Sequence, residues 1–335
     1  MRPNQSVMRF ALLASALVLC AACSAGGESH TEFADVSAFG ALDQKKLDRL
    51  TSGGDILIEV NSSMKFERGI SMQACYALPQ SPEAIAQLLQ KWDASSDPTL
   101  EVYQHHTFHN AADAHFDTLK FNTKIAPFQR LLRAMQKPDE LQLSEYERLK
   151  IGVGSHDAES ARRFWAKALE DRWSAVEFGG VPQLPDYVQG NKKYSVMEEF
   201  RILKSEEPLI RKRFSEDSRA QPPTSPLFYW SVSKVDTLAA VNMGSIKAQD
   251  CGDHWQVIDT NFYVSSGYLG SITFYELWPL TIAGKPQALV WQTDLVSAPG
   301  LAGALGLKRK IASLLIQSDV KETVEALRKA AMDSR

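Results

Sequence analysis

The stretch SITFYELWPLTIAGKPQALVWQTDL, residues 271–295, decides the architecture. Two runs rich in β-branched and aromatic residues, 271–281 and 288–295, are joined by Ala283-Gly284-Lys285, a connection suited to an antiparallel hairpin. Moving toward the N-terminus, 256–264, 238–248 and 227–235 have the same strand character and equally short turn-bearing connections. The C-terminal third therefore reads as consecutive antiparallel strands.

After the hairpin the pattern turns helical, from Leu301 to Met332. Ala304, Leu307, Ile311, Leu314 and Leu315 fall on one side of an ideal helix, whereas Val320, Val324, Leu327 and Ala331 fall on the opposite side. A straight helix cannot bury both stripes. Asp319 followed by Glu322 resembles a capping box, so a break near Gln317 and a restart are expected.

Upstream, 55–60 and 66–78 are strand-like. Ser81-Pro82-Glu83 opens a helix, with Ser81 as cap, Pro82 at the first helical position, and Ile85, Leu88, Leu89 and Trp92 on one face. Further strands are expected at 100–108 and 116–121. From about 125 to 220 the chain is helical and charged, with apolar stripes at Phe128, Leu131, Leu132 and Met135, at Phe164, Trp165, Ala168 and Leu169, and at Met197, Phe200 and Leu203. Pro182, Pro185, Pro222, Pro223 and Pro226 punctuate its connections, so it reads as a helical insertion ended by a proline-rich link.

The N-terminus has a secretory layout: Arg2 and Arg9, an apolar run from Phe10 to Leu19, then Ala21-Ala22-Cys23-Ser24. The apolar run is too short to span a bilayer, which takes about 20 residues. Ala21-Ala22-Cys23 resembles the end of a bacterial lipoprotein signal, which implies a lipid on Cys23. It departs from that pattern at Cys20, where a leucine is usual. Secretion as a soluble chain, with cleavage near Ala25, is the alternative, and both place the chain outside the cytoplasm. The expected organisation is a signal peptide at 1–22, a lipidated N-terminus and tether at 23–43, and a domain at 44–335 carrying the insertion. In that oxidising compartment Cys75 and Cys251 are candidates for a disulfide, against two separate buried thiols.

Apolar residues make up 44% and charged residues 23%, an ordinary globular balance. Lys and Arg number 37 against 40 Asp and Glu, net −3, without a long single-sign block. Nucleic acid is thereby excluded as an expected partner, since phosphate binding needs a concentrated basic face.

Catalytic patterns are scarce and no cofactor is expected. His105 and His109 share a strand face and, with His115 or Asp113, form a candidate metal set, although the spacing matches no recognised signature and a solvated strand end is the simpler reading. Gly152-Val153-Gly154-Ser155-His156 is not the nucleophile elbow, and Gly300, Gly303 and Gly306 lack a Walker lysine. Glu67, Asp259, Glu276 and Asp294 lie on or beside strands, where paired acids of a hydrolase would stand, but one sequence does not bring them together.

The order of strand, helix, antiparallel strands and closing helix resembles the helix-grip fold of START-like and Bet v 1-like proteins. Val290-Trp291-Gln292-Thr293-Asp294, leading through Pro299-Gly300 into the last helix, is similar to START domains. The segment Phe228-Tyr229-Trp230-Ser231 and the stretch from Tyr263 to Leu327 look like a group of uncharacterised bacterial proteins. The resemblance implies an α+β fold in which a curved antiparallel sheet grips a C-terminal helix around a cavity for an apolar ligand. The aromatic strands support this, with Phe228, Trp230, Phe274, Trp278 and Trp291 facing Leu307, Ile311 and Leu314 as candidate lining, although such rings also simply fill cores. The leading expectation is an envelope protein, facing the periplasm, that binds or transports a hydrophobic small molecule or lipid. A hydrolase or cyclase working in the same cavity and an envelope scaffold are the alternatives, and the oligomeric state is left open.

Overall fold

Local capping sets where the first long helix begins. Asp43 accepts from the Lys46 backbone N–H at 2.7 Å and opens α1 (Gln44–Thr51). In the computed structural model the described residues are 33–334 apart from 34–36, 38, 53, 62–63, 152–156, 190, 208–209, 211–224 and 304–306, with the backbone alone at 61, 307–313 and 315. The signal segment, Cys23, the Gly152–His156 motif and the Pro222-Pro223 link lie outside them. Packing starts earlier than the expected tether allows, because Phe33 and Leu42 are already buried in the core.

β1 (Leu57–Asn61) and β2 (Gly69–Leu78) pair antiparallel. Ser81 then caps α2 (Pro82–Lys91) through the Ala84 N–H, with Pro82 in the first turn, as its sequence signals require. β3 (Val102–Phe108) follows. The strand expected at 116–121 is instead a 3-10 turn, Phe116–Thr118, because His115 enters it at φ +46° and ends any extended run.

The insertion contains α3 (Ala126–Met135), α4 (Glu145–Ile151), α5 (Ala158–Gly179), a small hairpin of β4 (Tyr187–Gln189) and β5 (Lys192–Tyr194), and α6 (Val196–Glu206). It is therefore not purely helical. β6 (Leu227–Val235), β7 (Leu238–Asp250), β8 (Trp255–Val264), β9 (Gly270–Ile282) and β10 (Lys285–Ser297) form the expected antiparallel run. Ala283 and Gly284, with φ of +50° and +74°, make the tight turn that the β9–β10 hairpin needs.

The strands build one large antiparallel sheet in the order β1-β2-β10-β9-β8-β7-β6-β3, so the fold is α+β. Its two faces have different covers. On one, Met72, Ala74, Tyr76, Tyr275, Leu277 and Val290 pack in a core with α2 and the closing helix α7 (Leu307–Asp333). On the other, Phe108, Trp230, Met243, Phe274, Trp278 and Trp291 pack in a core with the insertion.

α7 is continuous through Gln317, so the expected break is absent. The physical conflict is resolved by burying one stripe: Val320, Val324, Leu327 and Ala331 are at most 7% exposed, whereas Leu314 is 57% exposed. Arg328 fastens this half of α7 to the sheet by donating to the Ala77 and Asp55 carbonyls. Among the described residues, no helix is long and apolar enough to cross a membrane.

No disulfide joins Cys75 and Cys251. Cys75 lies on β2 and Cys251 just beyond β7, and β10, β9 and β8 stand between them. At about 4.8 Å per strand the separation far exceeds the 4.4–6.8 Å of Cα atoms that a disulfide spans.

Candidate functional site

Strand parity assigns the aromatic residues to the wrong face for the expected cavity. Phe228 packs on Phe108 and on Trp173 of α5, with centroids 6.0 and 4.6 Å apart. Trp230 donates its indole N–H to the Ala114 carbonyl at 2.7 Å, and Trp291 donates to Gln73 Oε1 at 2.7 Å. Phe274, Trp278 and Trp291 are at most 2% exposed in the same core. These rings are the bed on which the insertion sits. They do not face α7, whose Leu314 is exposed; the side chains of Leu307 and Ile311 lie outside the described residues.

The histidines are also divided. His105 stacks on Tyr229, centroids 5.4 Å apart, on the α7 side of the sheet. His106 points the other way, its Nε2 2.7 Å from the Asp113 carbonyl and its ring 5.5 Å from His115. β3 ends at Phe108, so His109 no longer follows the alternation; Asp113 accepts from its backbone N–H. His105, His109 and His115 are not gathered, and among the described residues no group of three or more His, Cys, Asp or Glu has metal-holding geometry.

The residues that do come together are two of the acids. Asp259 on β8 stands opposite Thr273 on β9, which stands opposite Asp294 on β10. The row continues through Met72 and Val60 on one side and Ile246 on the other. Alternation with Val257, Tyr275 and Val290 puts this row on the α7 side. Each carboxyl is held by neutral donors. Tyr229 OH donates to Asp259 Oδ1 at 2.8 Å, Thr273 Oγ1 to Asp294 Oδ1 at 2.7 Å, and Gln292 Nε2 to Asp294 Oδ2 at 2.8 Å. Tyr76 OH in turn donates to Gln292 Oε1 at 2.8 Å.

Below this row α2 and the C-terminal half of α7 seal the face with apolar side chains. At the row and beyond, the floor is polar and half-buried: Asp259, Thr273 and Asp294, then Ser271 and Asn261. Burial pushes both carboxyls up to about 6, and the charge of Asp294 adds to the effect on Asp259. Burial likewise raises the phenols of Tyr229, Tyr275 and Tyr268 and lowers His105, so His105 is neutral near pH 7. Such a floor can hold polar groups of a ligand or exchange protons with it.

The other two acids are elsewhere. Glu276 is fully buried on the opposite face and accepts from Gln256 Nε2 at 3.1 Å, and Glu67 is exposed before β2. Thr273 escaped the reading of the sequence, and Tyr229 and Gln292 were quoted there for the resemblance and not as site residues. Their signal was there as polar residues on the strand parity opposite to the aromatics.

An open pocket of about 460 Å³ lies on the insertion instead, lined by Glu145, Glu147, Asp171, Arg172, Asp186 and Lys193 among others. Its charges are mixed and Arg172 is held by Glu147, so it offers no convergent chemistry.

A scan against models of known protein families finds no match, and neither does a search of curated proteins.

Proposed function

We propose that this protein binds a small hydrophobic, lipid-like molecule outside the cytoplasm, on the α7 side of the sheet, and is held to a membrane by lipid on Cys23. The polar end of the ligand rests on the Asp259–Thr273–Asp294 row. The observation that carries this reading is the half-buried polar floor at and beyond the aspartate row, on a sheet face that is sealed by apolar packing below it. A strand centre with carboxylates and, among the described residues, no apolar cover over them is costly unless something else completes it. The helix-grip resemblance is supported by topology: β6 to β10 lie side by side in chain order, β2 closes on β10, and α7 follows directly.

Fluorescence titration with the neutral probe N-phenyl-1-naphthylamine tests the reading. The wild-type chain is expected to bind it saturably, and Thr273→Trp, which fills the floor between the two aspartates, to abolish binding while near-ultraviolet circular dichroism stays native. Unchanged uptake by folded Thr273→Trp, or no saturable uptake by the wild type, overturns it. For the anchor, Cys23→Ala is expected to move the chain from the membrane to the soluble fraction; unaltered partition rejects the lipid.

A second reading, a hydrolase or cyclase acting in the same site, is favoured by one observation: carboxyls held near 6 exchange protons readily at neutral pH. Turnover of a bound ester or polyene that disappears in Asp294→Asn would support it, and a ligand recovered chemically unchanged would count against it.

A further inference from the structure

We infer that two copies of this chain join edge to edge, β1 pairing antiparallel with β1 of a second copy about a two-fold axis at Ile58.

β1 is an edge of the sheet, and among the described residues nothing pairs with its outer side. Alternation identifies the backbone groups this leaves. In an antiparallel ladder successive residues bond to one neighbour and then to the other. The two-residue turn Ala283-Gly284 closes on Ile282 and Lys285, so the odd-numbered residues of β10 bond to β9 and the even-numbered ones to β2. In the same register the Ala298 N–H donates to the Arg68 carbonyl at 2.9 Å. The odd-numbered residues of β2 therefore serve β1, opposite Leu57, Glu59 and Asn61. The N–H and C=O groups of Ile58 and Val60 face outward.

The two edges of the sheet differ. β3, the other one, is bulged between Val102 and Gln104, and the Gln104 amide binds the Lys120 backbone through two hydrogen bonds, at 2.6 and 2.8 Å. Bulges and covering segments of this kind keep an edge from pairing. β1 has no bulge: its register is unbroken from Leu57 to Asn61, and it contains no proline, lysine or arginine.

The residues of β1 select the partner. Ile56, Ile58 and Val60 are half-buried on the α7 side, against the apolar core there. Exposed Glu59 points to the opposite face, as Leu57 does. Outward-facing residues must meet outward-facing residues, so even positions pair with even ones. With Ile58 opposite its own mate, Ile56 meets the partner subunit's Val60, and an apolar row continues across both copies. Glu59 then stands opposite the partner subunit's Leu57. The neighbouring register would set Glu59 directly against Glu59, where like charges repel. The strand is thus complementary to itself in one register, as a two-fold contact requires. An edge of five residues is small for a permanent interface, so the dimer is expected to dissociate at roughly micromolar concentration.

Sedimentation equilibrium of the full chain, in a detergent matched to the solvent density, tests the inference. Over about 1 to 100 µM the mean mass is expected to rise from one copy toward two. Val60→Pro removes an outward N–H and leaves the ladder to β2 intact, and Ile58→Lys sets two charges against each other at the axis. Each is expected to weaken the dimer about tenfold or more, with native near-ultraviolet circular dichroism. Oxidative cross-linking reads the register without disturbing the fold. Ile58 and its mate, a bonded pair, stand about 5.5 Å apart at Cα, within reach of a disulfide, whereas Glu59 and its mate are roughly 8 Å apart. Ile58→Cys is therefore expected to give a covalent dimer, and Glu59→Cys and the wild type are expected not to. A chain that stays monomeric throughout overturns the inference and leaves β1 to a strand of another protein. A dimer that persists in both folded variants, or that cross-links through Glu59→Cys and not Ile58→Cys, overturns the placement at this edge.

Discussion

Tyr229 lies directly across Gly244, on the neighbouring strand, and donates to Asp259 one strand further on at 2.8 Å. A Cβ at residue 244 would stand 2.3 Å from both the Cζ and the hydroxyl of Tyr229, and 2.8 Å from the Thr260 carbonyl. Glycine is required here for close approach, since φ is not positive at this position. Gly244→Ala is therefore expected to swing Tyr229 off Asp259. Overpacking of this kind costs about 1–3 kcal/mol, to be read from a urea unfolding midpoint. Affinity for N-phenyl-1-naphthylamine is expected to fall with it, and a variant as stable as the wild type would show that the ring moves aside freely.

The aspartates give stability a pH dependence of unusual sign. Their pKa in the folded chain is about 6, against an ordinary 3.8, so between these values the native state holds more protons than the unfolded one. Their contribution is full below about pH 4 and is lost as the pH rises through 6. Among the described residues the phenols facing them are those of Tyr76, Tyr229, Tyr268 and Tyr275, all pushed upward, which do not titrate in that window. Thermal melts of Asp294→Asn are expected to show a flatter profile from pH 4 to 7 and a higher Tm at pH 7.5 than the wild type. A lower Tm at pH 7.5 would mean that the ionised carboxylate stabilises the fold.

The insertion is organised by a buried ion pair. Arg172 on α5 is 1% exposed, donates to Glu147 Oε1 and Oε2 at 2.8 and 2.6 Å, and stacks 3.9 Å over the Tyr263 ring. Glu147 also caps α4 by accepting from the Ser144 N–H at 2.6 Å. Neutralising one partner strands the other, so Glu147→Gln is expected to cost about 3–5 kcal/mol in urea unfolding. The double change Glu147→Leu/Arg172→Met is expected to recover most of that loss, and a double variant no better than the single one would refute the stranded-charge account.

Cys75 is buried on β2, and burial pushes its thiol pKa upward. It is expected to resist iodoacetamide in the native protein and to react on unfolding, with mass spectrometry locating the label. Non-reducing electrophoresis is expected to show the mobility of the reduced chain; faster migration would indicate a bridge that this sheet order forbids.

The signals legible in the sequence were those carried by neighbours along the chain. Ser81-Pro82 started α2, Ala283-Gly284 turned β9 into β10, and alternation along 271–295 separated Phe274 and Trp278 from Tyr275 and Leu277. Period-two alternation is symmetric, however, and says which residues share a face without saying what covers it. The insertion took the aromatic face and left α7 with the polar one, so the rings expected to line a cavity became the core beneath Trp173. The two opposed stripes of α7 were equally visible in the residues, and only packing decided that Val324 and Leu327 are buried while Leu314 is exposed. Asp259 and Asp294, 35 positions apart in the chain, meet because β9 lies between their strands and Thr273 falls in register with both. The sequence by itself determined the elements and their alternation, because these depend on residues within a turn or two of one another. Tertiary structure alone decided which face became core and which acids became a site, because register and layer order are set by contacts between segments far apart in the chain.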